Sequence, residues 1–318
     1  MATATIIGSG PNGLSAAIVL ASAGLSTTVL ERNSRIGGAC STGEITLPGY
    51  SHDLGSSVYP LGIASPFFRS LPIEIPWIVP AASCAHPLDD GTAVLLKHSV
   101  DYTIANLDSI DRPKYRSLIE PLATHFDVVV QDILGPVQHI PQHPFPLVRF
   151  GLSALLPAAS LARSRFSGVR ARALFAGIAA HSVLSLEASA SAAVALVLMA
   201  AGNTRGWPIV RGGAQTLTDV LARHLESLYG GRIETGCEVT QLPEIDLVLA
   251  DITPPSASPN RRVQTASGMS SRTRTFSIRR QSVQDRLRSQ FAHPLDRERV
   301  FTRCYRPPRR YARGGRRI

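Results

Sequence analysis

The chain has 318 residues and a formal net charge of +10, but that average hides a division. Residues 1–254 carry a net charge of −4, whereas residues 255–318 hold 17 Arg, no Lys and three acids, Asp285, Asp296 and Glu298. The four cysteines, Cys40, Cys84, Cys237 and Cys304, are far apart with no C-x-x-C, which argues against a disulfide framework or a structural zinc site.

The first predicted element is a short β-leaning run, Thr3 to Ile7, which meets the glycine turn Gly8-Ser-Gly10-Pro-Asn-Gly13. An Ala-rich helix is predicted over Leu14 to Ala23, ended by Gly24, and a second strand over Thr27 to Leu30 stops at Glu31. Strand, G-x-G-x-x-G, helix, strand and acid stand in the order that a dinucleotide site requires. Gly8 permits the tight turn, Gly10 lets a pyrophosphate approach the backbone, and Gly13 lets the helix pack close to the strand. The helix N-terminus offers N–H groups and a positive dipole end to phosphates. Glu31 follows Gly13 by 18 positions, near the usual spacing of about 20. Its carboxylate suits ribose hydroxyls and repels a 2′-phosphate, which disfavours NADP. The alternative for the same pattern is a doubly wound domain whose turn binds nothing.

The residues after Glu31 read Arg32-Asn-Ser-Arg35-Ile-Gly37-Gly38-Ala39. They resemble the E-R-x-x-R-x-G-G extension of the FAD-dependent amine oxidase and phytoene desaturase superfamily. The continuation GGACSTGEITLPGYSHDLGSSVYP resembles its phytoene desaturase-like branch, which includes the pyridine nucleotide-disulfide oxidoreductase domain-containing protein 2 group. Farther on, Gly206-Trp-Pro-Ile-Val-Arg-Gly-Gly213-Ala-Gln-Thr-Leu217 resembles the family segment W-P-x-x-x-G-G-x-x-x-L. A helix to Tyr229, a turn and strand over 230–239, and a buried-type strand from Ile245 to Ala250 leading into Asp251-Ile-Thr-Pro254 complete the resemblance, which covers about residues 1–254.

The resemblance implies FAD as cofactor. Gly8, Gly10, Asn12 and Gly13 would cradle the diphosphate, Arg35, Gly37 and Gly38 would flank it, Glu31 would hold the adenosine ribose, and Val239 would border the adenine. The implied fold is α/β: a Rossmann-like FAD-binding domain with a helix-rich substrate or cap insertion and a disordered C-terminal tail. The segments would be 1–60, N-terminal FAD-binding; 61–205, helix-rich cap; 206–254, return to the FAD-binding domain; and 255–318, the Arg-rich tail. The implied reaction is hydride transfer from an apolar or polyene small-molecule substrate to flavin. Peripheral membrane contact and a cytoplasmic location also fit, and no secretory signal precedes the first strand. The family's C-terminal Gly-rich flavin motif has no counterpart here. The chain as written is therefore expected to be incomplete and catalytically inert, and to bind FAD weakly or not at all.

Within the insertion, Asp89-Asp-Gly-Thr-Ala-Val-Leu-Leu reads as a hairpin turn and strand. Leu71–Pro80 and Pro136–Pro146 read as Pro-rich spacers, and Ala188 to Ala201 as a buried helix too short to span a bilayer. His139 and His143 have i, i+4 spacing, but Pro141 and Pro144 break the helix that a metal pair would need, so no metal is expected. Cys40 beside the glycine pair reads as an ordinary reduced thiol with a reactive role as the alternative. Asp53 reads as a solvated turn residue or a functional one.

The tail has low hydrophobicity, high charge and no periodicity, the signature of disorder. Arg without Lys is typical of GC-rich DNA read out of frame. Back-translated and started one nucleotide later, residues 276–297 can read FQYGARVFKIDYALSSPIPWTA, and residues 255–263 can read RQLLRIAGF; both resemble family text. The favoured account is a one-nucleotide shift at the Pro254/Pro255 codons. The rivals are a genuine basic arm that binds nucleic acid, and a non-catalytic nucleotide-binding fragment; no nucleic acid is expected unless the tail is genuine. Sequencing the DNA across codons 250–320 is expected to show the neighbouring frame running on through a Gly-rich flavin segment. Early stops in that frame would instead make the Arg-rich arm genuine.

Overall fold

In the computed structural model, residues 2–135, 141, 144–240, 243 and 245–252 are described. The expectations for His139, His143 and the tail from residue 255 onward lie outside these residues.

The chain opens with β1 (Thr3–Ile7), α1 (Pro11–Ser22) and β2 (Ser26–Glu31). The helix begins three residues before the predicted start because proline is tolerated at the first helical position, where its missing N–H would have had no partner. Its buried residues Leu14, Ala17, Ile18 and Ala21 follow i, i+3, i+4, i+7 spacing and form one apolar stripe. Gly24, at φ +88°, turns the chain back toward β2.

A two-residue hairpin, β3 (Thr42–Gly43) and β4 (His52–Asp53), precedes the short helices α2 (Pro60–Ala64) and α3 (Pro66–Ser70). The helix-rich region then comprises β5 (Trp77–Ile78), β6 (Ala82–Pro87), β7 (Ala93–Lys97), α4 (Val100–Ile104), α5 (Arg112–Thr124), α6 (Phe126–Leu134), α7 (Pro144–Ala154), α8 (Ala158–Arg165), α9 (Val169–Ala179) and α10 (Ser191–Gly202). The chain returns through β8 (Ile209–Val210), α11 (Gln215–Tyr229), β9 (Arg232–Thr235) and β10 (Leu247–Ala250).

Among the described residues the main sheet has four parallel strands in the order β10-β1-β2-β9. The strands β9 and β10 are separated from their partners by more than 200 residues of sequence, so the sheet closes only after the helical region has been traversed. Helices α1 and α11 pack together against it, and Ile6, Leu14, Ala17, Ile18, Val29, Leu221 and Leu225 form their shared core. The fold is α/β and Rossmann-like, as the sequence implied.

A second core fills the helical region. The helix α10 runs through it with Ala192, Ala195, Leu196, Met199 and Ala201 fully buried, in line with the apolar run in the sequence. The predicted hairpin is β6–β7, turned by Gly91 at φ +82°.

Three details depart from expectation. The predicted Pro136–Pro146 spacer ends inside α7, because Pro144 and Pro146 fall in the helix's first turn and break no hydrogen bond there. The other spacer contains β5, which pairs with β8 through Trp77 and Val210. The strand β10, read as a buried type, lies at the edge of the sheet among the described residues, with Leu247 and Leu249 more than one-third exposed; an apolar run alone does not say whether both faces will be covered.

Among the described residues no single helix is long and apolar enough to cross a membrane.

Asp111 anchors the helical region. Its side chain is fully buried and accepts hydrogen bonds from the backbone N–H of Ser167 (2.9 Å) and Gly168 (2.6 Å), at the start of α9, and from Lys114 Nζ (3.2 Å). Burial pushes its carboxyl up, but these donors together outweigh burial and hold it below the usual carboxylate value. The ionised form therefore stabilises the fold at pH values above the unfolded pKa, and this contribution is lost as pH falls through the folded pKa. Asp111→Asn is expected to cost about 2–3 kcal/mol near neutral pH. In urea titrations the gap from the parent protein should narrow below about pH 4; a gap independent of pH would refute this account.

Candidate dinucleotide site at the carboxyl edge of the sheet

Parallel pairing aligns Ile7 with Leu30 and with Ala250, so Gly8, Glu31 and Asp251 emerge together at the carboxyl edge of the sheet. Two of the glycines in the first turn are required by the chain itself. Gly8 sits at φ +108°, and a Cβ there would overlap the carbonyl oxygen of Asp251. A Cβ on Gly13 would overlap the carbonyl oxygen of Gly8.

Gly10 is different. Its φ of −64° and ψ of 170° suit any L-residue. Among the described residues a Cβ there would meet only the Asp251 carboxylate, at an ordinary contact distance of 3.5 Å. The fold does not demand glycine at this position, so the open space above Gly10, before the N-terminus of α1, is where a ligand can approach the backbone. Asn12 is exposed in the first turn of that helix.

Glu31 is buried at the end of β2. One carboxylate oxygen accepts from Ser9 N (3.1 Å) and Ser9 Oγ (2.7 Å), and the other from Asn33 N (2.9 Å) and Asn33 Nδ2 (2.7 Å). Burial pushes its pKa up, yet these four hydrogen bonds outweigh burial and hold the carboxyl below its ordinary value. The group is thus kept ionised and fixed in orientation. A ribose hydroxyl would share or replace the bond from the exposed Asn33.

The second glycine loop docks onto the first. Gly37 N–H bonds to Ser9 O (3.1 Å) and Ser9 Oγ (3.3 Å). A Cβ on Gly38, at φ +56°, would stand 3.4 Å from Gly10 Cα. Arg35 lies exposed in the same loop and has no ion-pair partner among the described residues. Cys40, next along, is buried against the Tyr59 hydroxyl (3.5 Å), which argues against a reactive thiol. Val239 is half-buried beyond β9, two residues after Cys237, whose N–H bonds to Glu31 O (2.9 Å). Of the nine residues singled out from the sequence, Gly8, Gly10, Asn12 and Gly13 lie in the turn after β1 and the first turn of α1, Glu31 at the end of β2, Arg35, Gly37 and Gly38 in the loop that follows it, and Val239 beyond β9.

Asp53 is half-buried in β4, not a solvated turn residue. Its Oδ1 accepts from Thr42 Oγ1 (2.8 Å) and from Ala214 N (2.7 Å), and Thr42 Oγ1 in turn accepts from Gln215 N (3.0 Å). The β3–β4 hairpin thus caps α11 from a distance, and Gly213 is glycine because a Cβ would run into Thr42. Gln215 Nε2 also donates to Ile36 O (3.2 Å), tying α11 to the second glycine loop.

Sequence reasoning assigned no role to Ser9 or Asp251. Ser9 occupies a variable position of the glycine motif. Asp251 Oδ2 accepts from Gly13 N at 2.7 Å, a contact across 238 residues with no local signal. Among the described residues no group of three or more His, Cys, Asp or Glu side chains is placed to hold a metal ion.

The motif and geometry define a Rossmann-like dinucleotide-binding domain. A family model for an NAD(P)-binding Rossmann-like domain matches residues 6–71, and no curated protein matches the chain. Among solved structures the chain is similar to an oxidoreductase from Methanosarcina mazei, with 19% identity, a TM-score of 0.50, and coverage of 76% of this chain and 53% of that one. It is also similar to a protein from Pyrococcus furiosus (18% identity, TM-score 0.49, 79% and 59% covered) and to a putrescine oxidase bound to putrescine (18%, 0.49, 78% and 56%). The chain spans less than three-fifths of the length of these structures. At such identity the likeness to the M. mazei oxidoreductase shows the fold alone.

The two kinds of glycine respond differently to substitution. Gly8→Ala and Gly13→Ala are expected to lower stability by more than about 2 kcal/mol, through overlap with backbone, whereas Gly10→Ala should fall within about 0.5 kcal/mol of the parent. Thermal melts of the three variants check this, and a Gly10→Ala protein as unstable as Gly8→Ala would show that packing, not a ligand, dictates Gly10.

Proposed function

We propose that this edge of the sheet is the adenosine-diphosphate half of an FAD site in an oxidoreductase that takes hydride from an apolar or polyene substrate. The observation that carries the reading is Gly10, a glycine that the fold does not require, at the place where a pyrophosphate meets the N-terminus of α1. The ionised, fully oriented Glu31 supports a ribose with free hydroxyls over a 2′-phosphate. The docking of Gly37 and Gly38 on Ser9 and Gly10 supports the FAD form of the motif, since it places a second glycine loop beside the same space.

When bound, FAD would supply the hydride acceptor. This chain's residues hold and orient it. The first turn of α1 presents the Asn12 N–H and a positive dipole end to the diphosphate. Glu31 receives the adenosine ribose, Arg35 offers a cation beside the diphosphate, and Val239 borders the adenine.

A titration of the purified protein tests the reading. In this incomplete chain FAD and ADP are expected to bind only weakly and alike, with dissociation constants of roughly micromolar or higher, because both present the adenosine diphosphate that these residues contact. FMN, which lacks it, should not compete. NADP should bind more weakly than NAD. Gly10→Ala should weaken ADP binding at least about tenfold, since a methyl group would occupy the space of approach. Equal binding of FMN and ADP, or a Gly10→Ala protein that binds as the parent does, would overturn the proposal.

A further inference from the structure

The residue that closes the sheet onto the glycine turn is itself an anion. Asp251 follows β10 directly, and its backbone is fixed by the bond from its N–H to Ile7 O (2.8 Å). The same backbone lies so close to Gly8 that no side chain fits there. From this anchored position Asp251 Oδ2 reaches the N-terminus of α1 and accepts the Gly13 N–H at 2.7 Å. It also stands 3.5 Å from the point where a Cβ of Gly10 would be, so the carboxylate borders the open space above Gly10.

The first turn of α1 has few donors to share. Pro11 has no N–H, and the Gly13 N–H is already bonded to Asp251, which leaves Asn12 as the first-turn amide open to a ligand. An anion at this helix end is favourable to the fold, because it caps an orphan donor and complements the dipole. The same charge opposes a second anion arriving beside it.

Resting on the dinucleotide reading, we propose that Asp251 is a specificity-determining residue of the phosphate seat: it caps α1 in place of ligand oxygen and, by its charge, limits affinity for phosphate-bearing ligands without affecting the nucleoside part. The two contributions separate by substitution. Asn at this position keeps a side-chain oxygen for the Gly13 N–H and removes the charge. Ala removes both.

Calorimetric titrations with ADP and with adenosine, on the full chain and its Asp251→Asn and Asp251→Ala variants, test this. Asp251→Asn is expected to tighten ADP binding about three- to tenfold at low salt, the effect of removing one unit charge beside a phosphate seat in a water-accessible site. Adenosine affinity should stay as in the parent, and the melting temperature should fall only slightly, by the lost charge–dipole attraction. The gain should shrink at high salt, where the repulsion is screened. Asp251→Ala should also tighten ADP binding but lower the melting temperature, because the cap is lost. ADP affinity unchanged or weakened in Asp251→Asn, or an equal gain for adenosine, overturns the role of Asp251 and leaves the dinucleotide reading standing. Failure of the parent and both variants to bind ADP overturns both.

Discussion

The site depends on the parallel pairing of β1 with β2 on one side and β10 on the other. Because parallel strands end at the same edge, this pairing delivers Gly8, Glu31 and Asp251 to one place, although Asp251 lies far along the chain. The close approach that follows leaves no room for a side chain at Gly8 or Gly13. Two of the three motif glycines are therefore consequences of strand and helix packing, and Gly10 remains as the one that the described residues do not explain.

Around that edge the polar groups are held by one another. Ser9 connects the Glu31 carboxylate to the Gly37 amide, so the acid and the second glycine loop are held to each other. Asp53 and Thr42 cap α11, whose Gln215 reaches back to Ile36. Each bond to a charged carboxylate contributes more than a neutral one, and leaving any of these donors unpaired would be costly. The elements that form the site are thus braced by contacts between segments that the helical region separates in sequence.

Much of the fold was legible because its signals are local. The apolar spacing of Leu14, Ala17, Ile18 and Ala21 specifies the buried stripe of α1, and Gly24 and Gly91 mark turns through their backbone freedom. The Ala-rich run before Gly202 announced a buried helix through its composition. What went astray had no such signal. The run from Ile245 to Ala250 looked buried, yet β10 lies at the sheet edge among the described residues, and neighbours, not composition, decide exposure. Asp53 looked like a turn residue because its partners, Thr42 and Ala214, become neighbours only when the hairpin docks on α11.

The sequence by itself determined the order of strand, glycine turn, helix, strand and acid, and with it the dinucleotide class of the domain, because short-range sterics and periodicity confine each piece to one conformation. Tertiary structure alone decided which motif glycines packing requires and which it does not, that Glu31 is already gripped by Ser9 and Asn33, and that the carboxylate of Asp251 stands at the end of α1. Those outcomes depend on distances between atoms remote along the chain, and such distances exist only once the sheet has closed.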